Sequence, residues 1–385
     1  MKVGDFIIAT AKDGKLSRSY SGGAIQILLK SALENKYVDK VLYFQEKKDR
    51  YNLVPVTIEQ PDEIDALPLS QFSAYHVSGA NNIPKFLAQS QKGTGKIALV
   101  AKPCDIRAIV ELVKRKQISR DNLLILGEEC YGKISPKKVK KTLEEEQVDA
   151  SKVSEEKIEV KKFNISIGGK QRSYNLGEKL VLEESCKRCT EREPTLSDIS
   201  FQVIEKNGGK ATLLHINSQK GLKLLESASA KLNLEVADSE TLNRRTRDID
   251  LLSSEAAEYK SRQFEKFGEN SEKEGYSYFK KLVENCKKCG LCIRACPLCL
   301  CVDCSVIKVR KEIDPIFYTL LRMGHMADSC VNCGNCDAVC NSLDPGPSLI
   351  FHRVSELSRK ALNYEPGKNI NELPPRIGKK PLKKS

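Results

Sequence analysis

The chain has 385 residues, 15 of them cysteine, and its 64 Lys+Arg against 51 Asp+Glu give a net charge of +13. With 40% hydrophobic and 30% charged residues, the composition excludes a disordered chain, and the length suits two or three domains with a sizeable core. No run reaches the ~18 apolar residues of a membrane span, and the stretch after Met1 lacks the apolar core and cleavage site of a signal peptide. A reducing cytoplasm is therefore expected, where many cysteines point to metal binding or catalysis and not to disulfides.

In chain order, Val3–Thr10 reads as a strand. Ser21-Gly22-Gly23 then opens a helix carrying Ile25, Leu28, Leu29 and Leu33 on one face. Free amides, absent side-chain bulk and a positive dipole end make this opening resemble a phosphate cradle, although Gly-Gly also makes a simple turn. Val41–Phe44 is a short strand and Ile97–Ala101 a buried one. Pro103-Cys104-Asp105 starts a helix with Ile106, Ile109, Val110 and Val113 inward, and Leu123–Leu126 is a further buried strand, ending near Cys130. Strands alternating with helices predict an α/β domain with a largely parallel sheet.

Residues 147–182 are polar and alternating, as strands of an insertion or second lobe would be. Residues 201–225 read as strand, Gly208-Gly209 turn, strand and helix. Residues 253–284 are charged and helical, which makes 246–280 a connector. Residues 361–385 are rich in Pro and Lys and read as a basic disordered tail.

The cysteines fall unevenly: eleven lie between Cys286 and Cys340. Cys286, Cys289, Cys292 and Cys296-Pro297 form C-x2-C-x2-C-x3-C-P, and Cys330, Cys333, Cys336 and Cys340 repeat the spacing, with Asn341 in place of the proline. This is the bacterial ferredoxin pattern for [4Fe–4S] clusters, in which the fourth cysteine of each run serves the other cluster. The expected sets are Cys286, Cys289, Cys292 with Cys340, and Cys330, Cys333, Cys336 with Cys296. Gly290 and Gly334 stand at equivalent places, where a side chain would crowd a cluster. Zinc also uses C-x2-C pairs but takes four ligands from two separated pairs, so two full runs favour iron–sulfur. Cys299, Cys301 and Cys304 are either ligands of a further metal or packing residues.

Cys104 and Cys130 each follow a buried strand, where open α/β sheets bind ligands. If those strands are neighbours, both sulfurs face one site. Cys186 and Cys189 add a C-x2-C pair that could complete a third cluster with Cys104 and Cys130, or with the 299–304 group. The four histidines show no metal spacing, and there is no Ser/His/Asp set, Walker loop or GxGxxG. An aromatic content of 6% with no Trp argues against nucleic-acid binding.

The strings "SGGAIQILLKSALENKYVDKVL", "ALVAKPCDIRAIVELVKRKQI", "CKRC…LSDIS" and "CIRACPLCLCVDC…ADSCVNCGNC" resemble the beta subunits of coenzyme F420-dependent formate dehydrogenase and F420-reducing hydrogenase, over most of residues 1–360. The resemblance implies a mixed α/β flavin-binding domain over 1–245 and a bacterial-type 2[4Fe–4S] ferredoxin domain over 281–360. It implies bound FAD with F420 docking on it, and a cluster beside the flavin that would use Cys186 and Cys189. It also implies a role as hydride-to-electron converter for a catalytic partner: a formate dehydrogenase, a hydrogenase or a heterodisulfide reductase assembly. A relay or adaptor without its own F420 site is the alternative. Carried over, the cofactor contacts are Ser21, Gly22, Gly23, Lys102, Pro103, Cys104, Asp105 and Arg107. No residue of this chain is assigned as catalytic. Lys114, Arg115 and the run Lys133, Lys137, Lys138, Lys140, Lys141 offer further cations for anionic F420. One departure from the family is Phe201-Gln202 after "LSDIS", where a glycine is usual.

Overall fold

The structure, a computed structural model, describes residues 1–19, 21–47, 51, 53–65, 82–90, 95–267 and 272–375. Eleven strands are found there: β1 Phe6–Ala11, β2 Lys40–Glu46, β3 Leu53–Ile58, β4 Ile97–Ala101, β5 Leu123–Glu128, β6 Val153–Glu159, β7 Lys162–Ile167, β8 Lys170–Asn175, β9 Ile199–Lys206, β10 Gly209–Ile216 and β11 Leu232–Val236. The helices are α1 Ala24–Glu34, α2 Pro61–Asp65, α3 Ile83–Ser90, α4 Pro103–Lys114, α5 Pro136–Glu145, α6 Glu184–Lys187, α7 Gln219–Ala228, α8 Ser239–Glu265, α9 Glu272–Val283, α10 Leu291–Ala295, α11 Ser305–Val309, α12 Pro315–Met326, α13 Asn335–Ala338 and α14 Ser348–Leu362. No helix is long and apolar enough to cross a membrane among the described residues.

Eight strands form one sheet in the order β11-β1-β10-β9-β5-β4-β2-β3. The expectation of a largely parallel sheet needs correction. The central strands β2, β4, β5 and β9 are parallel, but both flanks are antiparallel. The cause is local. Asn207 and Gly208 both have positive φ, which closes a tight β9–β10 hairpin and reverses the chain, and β2 turns back on β3 in the same sense.

Alternation along the central strands sends side chains to opposite faces. Val41, Tyr43, Val100 and Leu126 pack under α1 and α7. Leu42, Phe44, Leu99 and Ile125 pack under α3 and α4. The 147–182 stretch is the separate antiparallel sheet β6-β7-β8, packed with Val139 and Leu143 of α5. The helical stretch expected from residue 253 begins earlier, at Ser239, because Asp238 caps it by accepting from the Thr241 N–H at 2.7 Å.

The "LSDIS" string has a structural use. Asp198 is 2% exposed. Its carboxylate accepts from the Ile125 N–H, the Arg120 guanidinium and the Ser218 hydroxyl at 2.8–2.9 Å, tying β5 to the start of β9 and α7. Phe201 and Gln202, the departure from the family, continue β9 as regular strand. Phe201 is buried and Gln202 bonds to the Tyr131 hydroxyl.

The chain beyond α14 was expected to be tail, yet residues 363–375 pack on the body. Tyr364 is 4% exposed and donates to Glu111 of α4 at 2.7 Å, and the Gly367 N–H donates to the same carboxylate at 3.1 Å. A Cβ at Gly367 would lie 2.4 Å from the Arg107 carbonyl oxygen, so only glycine allows this approach. The remainder of the expected tail, 376–385, lies outside the described residues.

His352 on α14 is buried. Burial first, and then the positive field of Arg188, Arg359, Arg107 and Lys260, hold it well below the ordinary pKa of 6.5. The unfolded chain takes up this proton near pH 6.5, while the folded chain does so only much lower. The stability associated with neutral His352 is therefore full above pH 6.5 and falls as pH drops below it. Relative to His352→Gln, the wild-type protein should lose up to about 1.4 kcal/mol per pH unit in that window. Urea midpoints compared at pH 7 and pH 5 read the difference, and parallel pH dependence in the two proteins would refute it.

Candidate electron-transfer site

β4 and β5 are parallel neighbours, so their carboxyl ends lie side by side, which is the condition set for Cys104 and Cys130 to share a site. Cys104 sits in the first turn of α4, after Pro103 at its start, and Cys130 follows β5. The Cys130 N–H donates to the Arg192 carbonyl at 3.0 Å, drawing the 186–192 loop over the strand ends. Burial raises the thiol pKa of Cys104, Cys186 (to about 12) and Cys189, and Cys130 acts electrostatically on all three. All four front cysteines thus gather at one place.

Lys133 lies among them. Burial opposes its charge, but Cys104, Cys186, Asp105 and Cys333 outweigh burial and raise its pKa. This buried ammonium thus sits beside the Asp105 carboxylate and the front sulfurs. Lys133, expected with its run to offer a cation to F420, is instead buried at this place. Lys102 is likewise spent internally. It is 1% exposed and pairs with Glu128 at 3.2 Å across the ends of β4 and β5.

The two cysteine runs of the back lie as follows. Cys286, Cys289, Cys292 and Cys340 line a single cavity, walled by Tyr318 and Arg322 of α12. The Tyr318 hydroxyl lies 4.0 Å from the Cys292 sulfur. Cys330, Cys333 and Cys336 are raised by burial, and Cys296 acts on both Cys330 and Cys333. Among the described residues no three His, Cys, Asp or Glu side chains are placed to hold one metal ion. A cubane asks for something else, since each of its four thiolates takes a different iron. Four cysteines lining one cavity, three of them partly buried, suit that group. Cys299 and Cys304 lie in a small apolar cluster with Ile293, Val306 and Tyr318, while Cys301 is exposed.

The back is fastened to the front at these same loops. Asn82 and Lys85 of the α3 turn donate to the Ala295 and Arg294 carbonyls at 2.9 Å, just before Cys296. Arg107 donates to the Val331 carbonyl at 3.4 Å, the Glu365 carboxylate at 3.1 Å and the Pro366 carbonyl at 2.9 Å. Its expected cofactor role competes with this structural one. Lys114 and Arg115 pair with Glu111 at 3.2 and 2.9 Å. On α5, Lys137 approaches Asn341 at 3.4 Å and Lys141 pairs with Glu145, while Lys138 is exposed and Lys140 half-buried.

At the expected phosphate cradle, Gly22 and Gly23 have φ of 59° and 77°. A Cβ on Gly22 would meet the Lys210 carbonyl oxygen at 2.4 Å, and one on Gly23 the Ala11 Cβ at 2.7 Å. Close packing on β10 and β1 therefore accounts for both glycines. Among the described residues, the buried hydroxyls of Ser19 and Ser21 and the buried amide of Gln26 have no hydrogen-bond partner.

Arg322 escaped the sequence reading. The available signal was an arginine in the otherwise apolar i, i+4 stripe Tyr318, Arg322, Met326 of α12, all buried.

A mixed α/β body with a cysteine-rich back fastened over its strand ends defines a redox subunit architecture. Family models for the beta subunit of coenzyme F420 hydrogenase/dehydrogenase match residues 6–81 (N-terminal part) and 94–241 (C-terminal part), and the chain belongs to that family. It is 31% identical over 389 residues to the F420-dependent formate dehydrogenase subunit beta of Methanocaldococcus jannaschii, covering 96% of this chain and 97% of that one. It is 32% identical to the F420-dependent formate dehydrogenase 1 subunit beta of Methanococcus maripaludis, covering 94% and 95%. A chain of the F420-reducing [NiFe] hydrogenase complex of Methanosarcina barkeri shares the fold, with a TM-score of 0.57 at 18% identity over 70% of this chain and 96% of that one.

The two equivalent glycines of the cysteine runs differ in one testable respect. Both have left-handed backbone, φ 79° at Gly290 and 74° at Gly334. A Cβ at Gly290 meets nothing closer than Ile307 at 3.7 Å, whereas at Gly334 it would lie 1.9 Å from the Ser185 Oγ and 2.4 Å from its Cβ. Each Gly→Ala change should cost about 1 kcal/mol for conformation, and Gly334→Ala a further ~1–3 kcal/mol for the clash. Urea denaturation of the two variants measures the gap, and equal losses would show that Ser185 does not press on the second run.

Proposed function

We propose that this chain is the flavin- and iron–sulfur-bearing beta subunit of an F420-dependent oxidoreductase, working with a catalytic partner subunit, a formate dehydrogenase before a hydrogenase. What supports the reading is that cysteines of the three expected groups lie within electrostatic reach of one another in series. Cys104, Cys130, Cys186 and Cys189 lie next to Cys333 of the second group through Lys133. Cys336 of the second group acts electrostatically with Cys292 of the first.

When bound, FAD would exchange a hydride with F420, and [4Fe–4S] clusters would carry the electrons one at a time. The chain's own residues supply the rest. Ser19, Ser21 and Gln26 beside the α1 N-terminus offer unspent donors to a flavin diphosphate. Cys104 and its three partners hold a cluster at the strand ends, and Lys133 offsets its charge. The clamp of Asn82, Lys85 and Arg107 fixes the back against the front, so spacing between groups is held by the fold. Cys289 is exposed, which makes the first group the natural exit toward a partner.

The reading is tested on protein produced and purified without oxygen. Iron and sulfide equivalent to three four-iron clusters, bound flavin and bleaching of the chromophores by reduced F420 are expected. Cys104→Ser and Cys186→Ser should each lower iron by about a third and leave the two back clusters. Clusters without flavin or F420 response would favour the adaptor reading. Zinc without labile sulfide would end both.

A further inference from the structure

Arg322 projects from α12 into the interior of the cysteine-rich back and is 2% exposed. Among the described residues no carboxylate pairs with it, and its Nε has no hydrogen-bond partner. The groups that act on it are the sulfurs of Cys299, Cys296 and Cys292. It also walls the cavity of the first cysteine group and lies over the Phe351 ring at 5.6 Å. Cys292 belongs to the first group and Cys296 to the second, so one guanidinium stands at the junction of the two.

A buried arginine without a carboxylate is costly unless another anion is present. A cubane held by four thiolates is such an anion. Each one-electron reduction of a cluster adds one negative charge, with no bond made or broken and no proton required. A fixed cation nearby stabilises the reduced form more than the oxidised form, and so raises the potential.

We propose that Arg322 is a positioning residue for electron transfer, holding one fixed positive charge between the two clusters of the back and thereby setting both of their reduction potentials. The inference rests on the cluster reading given above. It predicts that the two back clusters are tuned together, while the front cluster at Cys104 is not touched by this charge.

The test uses the full chain, reconstituted anaerobically, as wild type, Arg322→Gln, Arg322→Met and Arg322→Lys. Iron and sulfide content is measured first, and then a dithionite titration is followed by electron paramagnetic resonance. In the two charge-free variants the reduced-to-oxidised ratio of both back clusters should fall about tenfold at a given potential, a shift of ~59 mV for one electron. Arg322→Lys should stay within about threefold of wild type, and the front cluster should not move. Unchanged back-cluster potentials at full iron content would overturn the proposal. So would loss of iron from both charge-free variants, which would assign Arg322 a structural role instead. Wild-type protein without iron and sulfide would refute the cluster reading itself, a result distinguishable from either.

Discussion

Negative sulfurs can be crowded into a water-poor interior only where positive charge is placed among them, and this constraint organises the molecule. Burial alone drives thiol pKa values up, as it does for Cys104, Cys186, Cys189, Cys330, Cys333 and Cys336. Such thiols are poor ligands until a cation compensates them. Two fixed cations of the chain lie at the junctions between cysteine groups: Lys133 between the front group and the second run, and Arg322 between the second run and the first. Neither is spent on solvent. Lys133 has the Asp105 carboxylate as well as sulfurs beside it, whereas only sulfurs act on Arg322.

The fold is arranged to deliver those sulfurs. The central parallel strands β4 and β5 are buried on both faces and end together, so the residues just past them are presented at one rim of the sheet. Toward the other end of these strands, Asp198 ties the β5 backbone to the start of α7 through one carboxylate. The 186–192 loop is drawn over the rim by the Cys130 amide, and the back is then clamped to the loop. Gly334 packs on Ser185, and Arg188 donates to Ser348 at 2.6 Å. The relative placement of cysteine groups far apart in sequence follows from these few contacts and from the 364–367 strap on α4.

How much of this was legible beforehand varies with the range of the interaction. The two ferredoxin-type runs declare themselves because their spacing is local, and Cys340 lines the same cavity as Cys286, Cys289 and Cys292. The strands and helices of the front were legible from period-2 and 3.6-residue patterns. The antiparallel flanks were not, since strand direction in a sheet depends on which hairpins close, and the sequence marks Gly208-Gly209 as a turn without saying that it closes a hairpin. The strap at 364–372 was hidden because its composition is that of a tail. Its order comes from Glu111, more than 250 residues away, and no local property of Tyr364 or Gly367 reveals that partner.

The reinterpretation of the basic residues has the widest consequence. A net charge of +13 reads at first as a surface property, suited to an anionic partner. Yet Lys102, Arg107, Lys114, Lys133 and Arg322 are all buried. Their partners are carboxylates, carbonyls and sulfurs of this chain. Part of the positive excess is therefore internal and serves anions the interior must hold. Charge counted from composition overstates what the surface offers a ligand and understates what the interior requires. In a chain so rich in thiols, buried lysines and arginines are the better guide to where negative cofactors belong.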